Sequence, residues 1–106
     1  MSMDMNQMMK QMQQMQAEME RLQAEAAAET VEASAGGGMV TVKANGAREI
    51  VSVAIKPEAI DANDPEMLED LVLAATNEAL RSADRMLQAK LGSLMGGLGD
   101  LRMPGL

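Results

Sequence analysis

The chain has no cysteine, no histidine and no aromatic residue among its 106 positions. Without cysteine there are no disulfides, no thiol nucleophile and no thiolate metal site, a pattern that fits a reducing compartment. Without histidine the commonest general base and metal ligand is missing. Without Phe, Tyr or Trp there is no stacking platform of the usual kind for single-stranded nucleic acid. Bases are scarce as well: nine Lys and Arg stand against 16 Asp and Glu, for a net charge of −7. That is the wrong overall sign for a simple polyanion binder. The length predicts one small domain, and a chain of this size buries so modest a share of its surface that stabilisation by a second copy is expected.

The acidity is local. Residues 1–17 sum to zero, 18–34 to −4, 35–57 to +2, 58–80 to −7 and 81–106 to +2. The bulk charge is therefore mostly one acidic block, and the two ends and the middle must be judged separately.

What is abundant is methionine: thirteen residues, eight of them within the first twenty. Met5, Met8, Met12, Met15, Met19, Leu22 and Ala26 repeat at spacings of 3 and 4. This is an a/d seam over about three heptads, the pattern of a coiled coil. Gln, Glu, Lys and Arg fill most intervening positions, and no Gly or Pro interrupts residues 3–33. The spacing predicts a long amphipathic helix over 4–28. Polar residues break every apolar run, so it reads neither as a signal peptide nor as a membrane span.

After Thr30 the pattern alternates, with Thr30 to Ser34 as a short strand, then Gly36-Gly37-Gly38 as a break. The stretch MVTVKANGAREIVSVAI predicts a hairpin with a two-residue type I′ turn at Asn45-Gly46. That turn pairs Ala44 with Ala47 and Val42 with Glu49. It gathers Val40, Val42, Ala44, Ala47, Val51, Val53 and Ile55 on a core face. Thr41, Lys43, Arg48, Ser52 and Lys56, with Met39 and Ile50, take the other. Lys56-Pro57 ends the strand. Asp64-Pro65-Glu66 then reads as N-cap, proline at the first helical position and acid in the first turn. A second helix is predicted over 65–91, with Leu68, Val72, Ala75, Ala79 and Met86 on one stripe and Leu73, Leu80, Leu87 and Leu94 on its neighbour. Gly92 is the expected stop, so the domain is set at 1–91, with 92–106 a flexible Gly/Leu/Met tail.

The order is helix, three short antiparallel strands, helix. A first helix of 25 residues is about 37 Å long, while a sheet of three short strands spans about 20 Å. Part of the helix must overhang, and a methionine seam on an overhang calls for a partner, most simply the same helix of a second protomer.

Catalysis is not expected. Asp61, Asp64, Glu66, Glu69 and Asp70 can be read as a divalent-ion site or as acids complementing a helix dipole, and the dipole reading is favoured. No nucleophile–base pair is present, and the glycine run lacks the Lys and Ser/Thr of a phosphate loop. Neither a cofactor, a metal nor a small-molecule substrate is expected. The methionine stripe admits two partners, a second copy of the chain or a foreign helix. A membrane-surface role is disfavoured because the polar face of the helix is neutral.

Several features together resemble a known family: the Met/Gln-rich first helix, GGGMVTVKANG at 36–46, IVSVAIKPE at 50–58, the Asp-rich start of a Leu/Ala helix with Asn77-Glu78-Ala79, and the Gly/Leu/Met ending. The family is that of the YbaB/EbfC bacterial nucleoid-associated proteins. The resemblance covers nearly the whole chain, and the GGGMVTVKANG run is its most specific part. It implies an α+β fold of α-β-β-β-α order and a homodimer whose first helices project like tweezers. It also implies a cytoplasmic, nucleoid location and binding of double-stranded DNA with little sequence preference. By that resemblance the arm is the favoured contact, which puts forward Lys10 and Arg21 with Gln7, Gln11 and Gln14 as neutral donors. Lys43 and Arg48 come second, and Met5, Met8, Met12, Met15, Met19 and Leu22 form the dimer seam. The alternative is an adaptor that docks another protein on the methionine-rich helix.

Overall fold

The computed structural model describes the backbone of residues 4–99 and the side chains of 4–94. Its elements are α1 (Met5–Ala28), β1 (Thr30–Ala35), β2 (Val40–Asn45), β3 (Ile50–Ile55), a 3-10 turn (Pro57–Ala59) and α2 (Pro65–Gly99). This is the α-β-β-β-α order expected of the sequence. The strands form one antiparallel sheet in the order β1-β2-β3.

Helix α1 starts where the Asp4 carboxylate accepts the Asn6 N–H at 3.3 Å. It stops at Glu29, whose extended backbone leads into β1. Between them lies an unbroken run of good helix formers. Helix α2 is capped by Asp64, whose side chain accepts the Met67 N–H at 3.3 Å, with Pro65 at the first helical position.

The core sits between α2 and the first two strands. Ala75, Ala79 and Ala83, one turn apart on α2, are fully buried against Ala33, Val40, Val42 and Ala44. Alanine at each turn lets the helix lie close to the sheet. Val40 and Val42 are the largest fully buried side chains, and burying each stabilises the fold by roughly 1.5–3 kcal/mol. Among the described residues seven of the ten buried apolar side chains are alanines, so the core is thin.

Three expectations are corrected. First, the hairpin does not turn at Asn45-Gly46 alone. The Arg48 N–H reaches the Asn45 carbonyl and the Asn45 N–H the Glu49 carbonyl, each at 3.0 Å. The loop is thus Gly46-Ala47-Arg48, with Arg48 left-handed at φ 62°. The buried Asn45 side chain directs this choice: its oxygen accepts the N–H groups of Ala47 at 2.9 Å and Glu49 at 3.1 Å. Gly46 is needed for space instead. A methyl group on it would lie 2.5 Å from the Ala26 methyl.

Second, the longer loop shifts the register. Val40 pairs with Ile55, Val42 with Val53 and Ala44 with Ile50, with an irregularity after Lys43. Val53 and Ile55 share the α2 side of the sheet, but α2 covers β1 and β2 and leaves β3 bare. Every residue of β3 is exposed, and Ala47 is exposed in the loop.

Third, α2 continues through Gly92 to Gly99. Glycine in a helix costs about 1 kcal/mol relative to alanine and does not forbid it. Past Gly92 the helix keeps a neighbour, because Lys90 and Leu94 flank the groove that Glu18, Arg21 and Leu22 of α1 also line. Residues 100–106 of the expected tail lie outside the described residues.

Candidate nucleic-acid interface

Among the described residues only the C-terminal part of α1 touches the body. Leu22 and Ala26 are buried, and the Ala26 carbonyl accepts the Gly46 N–H at 2.8 Å. Upstream the same seam runs clear of the fold: Met5 is 79% exposed, Met12 65% and Met15 51%. The molecule measures 75 × 31 × 16 Å along its principal axes, and the arm contributes to the long one. The seam predicted from spacing is thus continuous, with two residues used within the chain and the methionines unpartnered among the described residues. Met12, Met15 and Met19 line a shallow groove with Gln16 and Glu20.

At about 100° per residue, Gln7, Lys10, Gln14 and Arg21 fall on a stripe nearly opposite the methionines, with Gln11 between the two. The arm therefore has a soft apolar side and a polar side. The two bases on the polar side differ. Lys10 makes no ion pair among the described residues. Arg21 is held by Glu18 and, at 2.5 Å, by Glu25. The hydrogen bond to Glu18 raises the Arg21 pKa above its ordinary value, and its counterpart lowers that of Glu18. This trio carries a net negative charge, so Arg21 is a poorer anion contact than its place on the arm suggests.

The bases of the sheet divide in the same way. Lys43 stands on the helix-free face of β2, opposite Glu32 on β1 and Ser52 on β3. That face is polar, with Ser34 and Thr41 hydroxyls hydrogen-bonded at 3.0 Å. Arg48 is not beside Lys43. It sits in the hairpin loop and donates to Asp84 of α2 at 2.7 Å. Among the described residues Lys10 and Lys43 are thus the candidates without an ion pair, and they lie on different elements.

Where its contacts are defined, the acidic block organises the start of α2 and forms ion pairs along it. Asp61 accepts the Asn63 N–H at 2.9 Å and Asp64 caps α2. Glu78 pairs with Arg81 and Arg85, and the hydrogen bond to Arg85 contributes most to lowering its pKa. No three His, Cys, Asp or Glu converge as metal ligands among the described residues. No described helix is long and apolar enough to cross a membrane.

Sequence reasoning missed one surface. On β3, Ile50 is 41% exposed, Val53 48% and Ile55 37%, and on α2 Leu73 is 61% exposed. An apolar groove lined by Leu68, Val72, Leu73 and Thr76 lies on α2. The available signal was numerical: one helix does not cover three strands.

A small sheet with a helix on one face and a helical arm standing off it defines a module that works by presenting surfaces. The chain belongs to the YbaB/EbfC DNA-binding family, whose model matches residues 1–98. It is 59% identical over 103 residues to the nucleoid-associated protein YaaK of Bacillus subtilis, covering 97% of this chain and 94% of that one. It is 54% identical over 103 residues to a nucleoid-associated protein of Pelotomaculum thermopropionicum, covering 97% and 95%. Its fold matches a crystal structure of an uncharacterized protein from Helicobacter pylori, with a TM-score of 0.77 at 22% identity, covering 89% of this chain and 99% of the other.

Proposed function

We propose that the chain binds duplex DNA as a homodimer in the bacterial nucleoid, contacting phosphates rather than base edges. Family membership supports DNA as the partner, and one structural observation carries the mode: Lys10, unpaired, on a neutral polar stripe far from the acidic body. Twelve residues separate Lys10 from Leu22, where α1 meets the fold, or about 18 Å of helix. The Debye length at physiological salt is about 8 Å. Repulsion from the acidic block is therefore largely screened at Lys10, and a net charge of −7 does not oppose contact there. Gln7, Gln11 and Gln14 supply amide donors for phosphate oxygens, and Lys43 is the second base. Arg21 and Arg48 join only by exchanging a carboxylate for a phosphate. No element offers a recognition-helix pattern, so little sequence preference is expected.

Two surfaces suit a second copy. The bare face of β3 lies beside α2, which carries its own exposed Leu73. A two-fold axis there lets α2 of each protomer cover β3 of the other, an isologous contact. The methionine seams of Met5, Met8, Met12, Met15 and Met19 form a second, softer contact between the arms. With seams inward, the Lys10 stripes face outward.

Fluorescence anisotropy on labelled duplexes tests the reading. Wild-type protein should bind two unrelated duplexes with similar affinity, and Lys10→Glu should weaken both alike. Stoichiometric capture of a protein partner by the arm after nuclease treatment, with no duplex binding at low salt, would instead establish the adaptor.

A further inference from the structure

The chain contains no Cys, Trp, Tyr or His. Its readily oxidised side chains are therefore its methionines alone. These are not evenly placed. Six of them, Met5, Met8, Met9, Met12, Met15 and Met19, lie within four turns of α1 and are between 36% and 79% exposed. In the body, Met39 and Met86 are half-buried, and Met67 is 37% exposed. Among the described residues, the methionines most open to an oxidant are those from Met5 to Met15 on the arm, with Met67 about as exposed as Met19 at the base of that series.

We propose that the methionine face of α1 is an oxidation-sensitive site, with peroxide as its reactant, whose modification opens the arms and weakens DNA binding. The chemistry is an oxygen transfer. A lone pair of the thioether Sδ attacks one peroxide oxygen, the O–O bond breaks and an S–O bond forms. The displaced hydroxide takes the proton of the sulfur-bound hydroxyl, leaving the sulfoxide, and departs as water. Sulfur loses two electrons and the peroxide gains them. No neighbouring base or metal is required, so exposure governs the rate. The product matters because of where it sits. A thioether is apolar and adaptable, which suits a soft seam. A sulfoxide is polar and chiral and disrupts methionine-rich contacts. On Met8, Met12 and Met15 it places a strong acceptor where the facing arm offers only other apolar groups. Burying an unpaired polar group there is unfavourable, so the arms part. The Lys10 stripe on the opposite side is chemically untouched, and so is the β3 face. Oxidised protein therefore stays dimeric with its arms splayed, and its two Lys10 side chains no longer keep the spacing at which both engage one duplex, so affinity falls.

This effect on binding rests on the proposal that arms associate along the seam. The test uses the full chain, treated with limiting hydrogen peroxide, then peptide mapping, small-angle scattering and duplex anisotropy. Arm peptides should gain about 16 Da per sulfoxide before those holding Met39 or Met86. Treated wild type should remain a dimer, with a larger maximum dimension and a severalfold loss of duplex affinity. A variant with all six arm methionines replaced by leucine keeps the helix and its apolar side without the sulfur. It should bind like untreated wild type and ignore peroxide. Met12→Gln with Met15→Gln should splay the arms without oxidant. Oxygen concentrated on the body methionines, a fully oxidised arm with unchanged dimensions and affinity, or equal loss in the leucine variant would overturn the proposal. If untreated protein fails to bind duplex, the DNA reading fails separately, and mapping and scattering still decide the oxidation site.

Discussion

Gly46 lies where the base of α1 meets the hairpin. A methyl group there would sit 2.5 Å from the Ala26 methyl and 2.6 Å from the Ala26 carbonyl oxygen. Backbone cannot swing aside as a side chain can, so Gly46→Ala is predicted to destabilise the fold by about 1–3 kcal/mol, measured by urea unfolding. Gly37 is the contrast. Its added methyl would meet nothing within 4 Å, and the difficulty is only its φ of 67°. Gly37→Ala should cost about 1 kcal/mol. Equal losses at the two sites would mean that α1 is not anchored as described. Arg48 is the converse case, a side chain held at φ 62°. Arg48→Gly relieves a left-handed conformation worth about 1 kcal/mol and gives up an exposed ion pair worth about 0–1 kcal/mol. Its midpoint should be unchanged or higher.

At the scale of elements, ion pairs hold both helices on their exposed faces, and their carboxylates set the acid response. Glu18 and Glu78 have pKa values lowered from 4.5 by their arginine partners. Their contribution is fully present above that ordinary value and is lost as pH falls through the lower folded values. Lys90, raised above 10.5 chiefly by its hydrogen bond to Glu29, contributes below that value and ceases to as pH rises through the folded one. Helicity by far-UV dichroism should therefore be level from neutral pH to about pH 5 and fall only below about pH 4.5. Glu78→Gln should reduce that fall. A decline that begins near pH 6 would point to groups other than these.

Much of this scale was legible in the sequence. Helix α1 was readable because one spacing runs from Met5 through Met19 and Leu22 to Ala26 and nothing breaks it. Asp64 was readable as a cap because Pro65 and Glu66 follow it. The hairpin misled because Asn45-Gly46 has two chemical readings, positive φ at both positions or an Asn side chain holding a longer loop. The Asn45 side chain takes the second because it is buried and accepts the Ala47 and Glu49 N–H groups, and Gly46 then fits against Ala26, some twenty residues away. The register of β3, and so the bare face of Val53 and Ile55, follows from that choice. Helix α2 passes Gly92 because Lys90 and Leu94 meet α1, again a tertiary contact. At the candidate site, periodicity placed Lys10 and Arg21 on the arm but could not separate them. The difference lies in Glu18 and Glu25, which close on Arg21 only when the helix is formed.

For the whole molecule, a thin alanine-rich core and a bare strand argue that the single chain is incomplete. If the proposed dimer forms on the bare strand, Val53→Asp with Ile55→Lys is predicted to convert it into monomers by light scattering, because the pair places charge where a second copy's α2 would pack. If the variant remains a dimer, the body contact lies elsewhere, and the methionine seam becomes the principal one. Charge is arranged at the same scale, with acids around the body and, well out on the arm, a lysine that makes no ion pair among the described residues. On the proposed dimeric mode, Lys10 and one further base per protomer would neutralise about four phosphates, and log affinity should fall with log salt at a slope of about −3.6. Lys10→Ala removes two of them and should reduce the slope to about −1.8. Anisotropy of wild type and Lys10→Ala on one duplex across a salt series is the most direct test. A steep wild-type slope that halves in the variant is the predicted result, and a flat salt response, or identical slopes for the two proteins, would contradict binding through the arm.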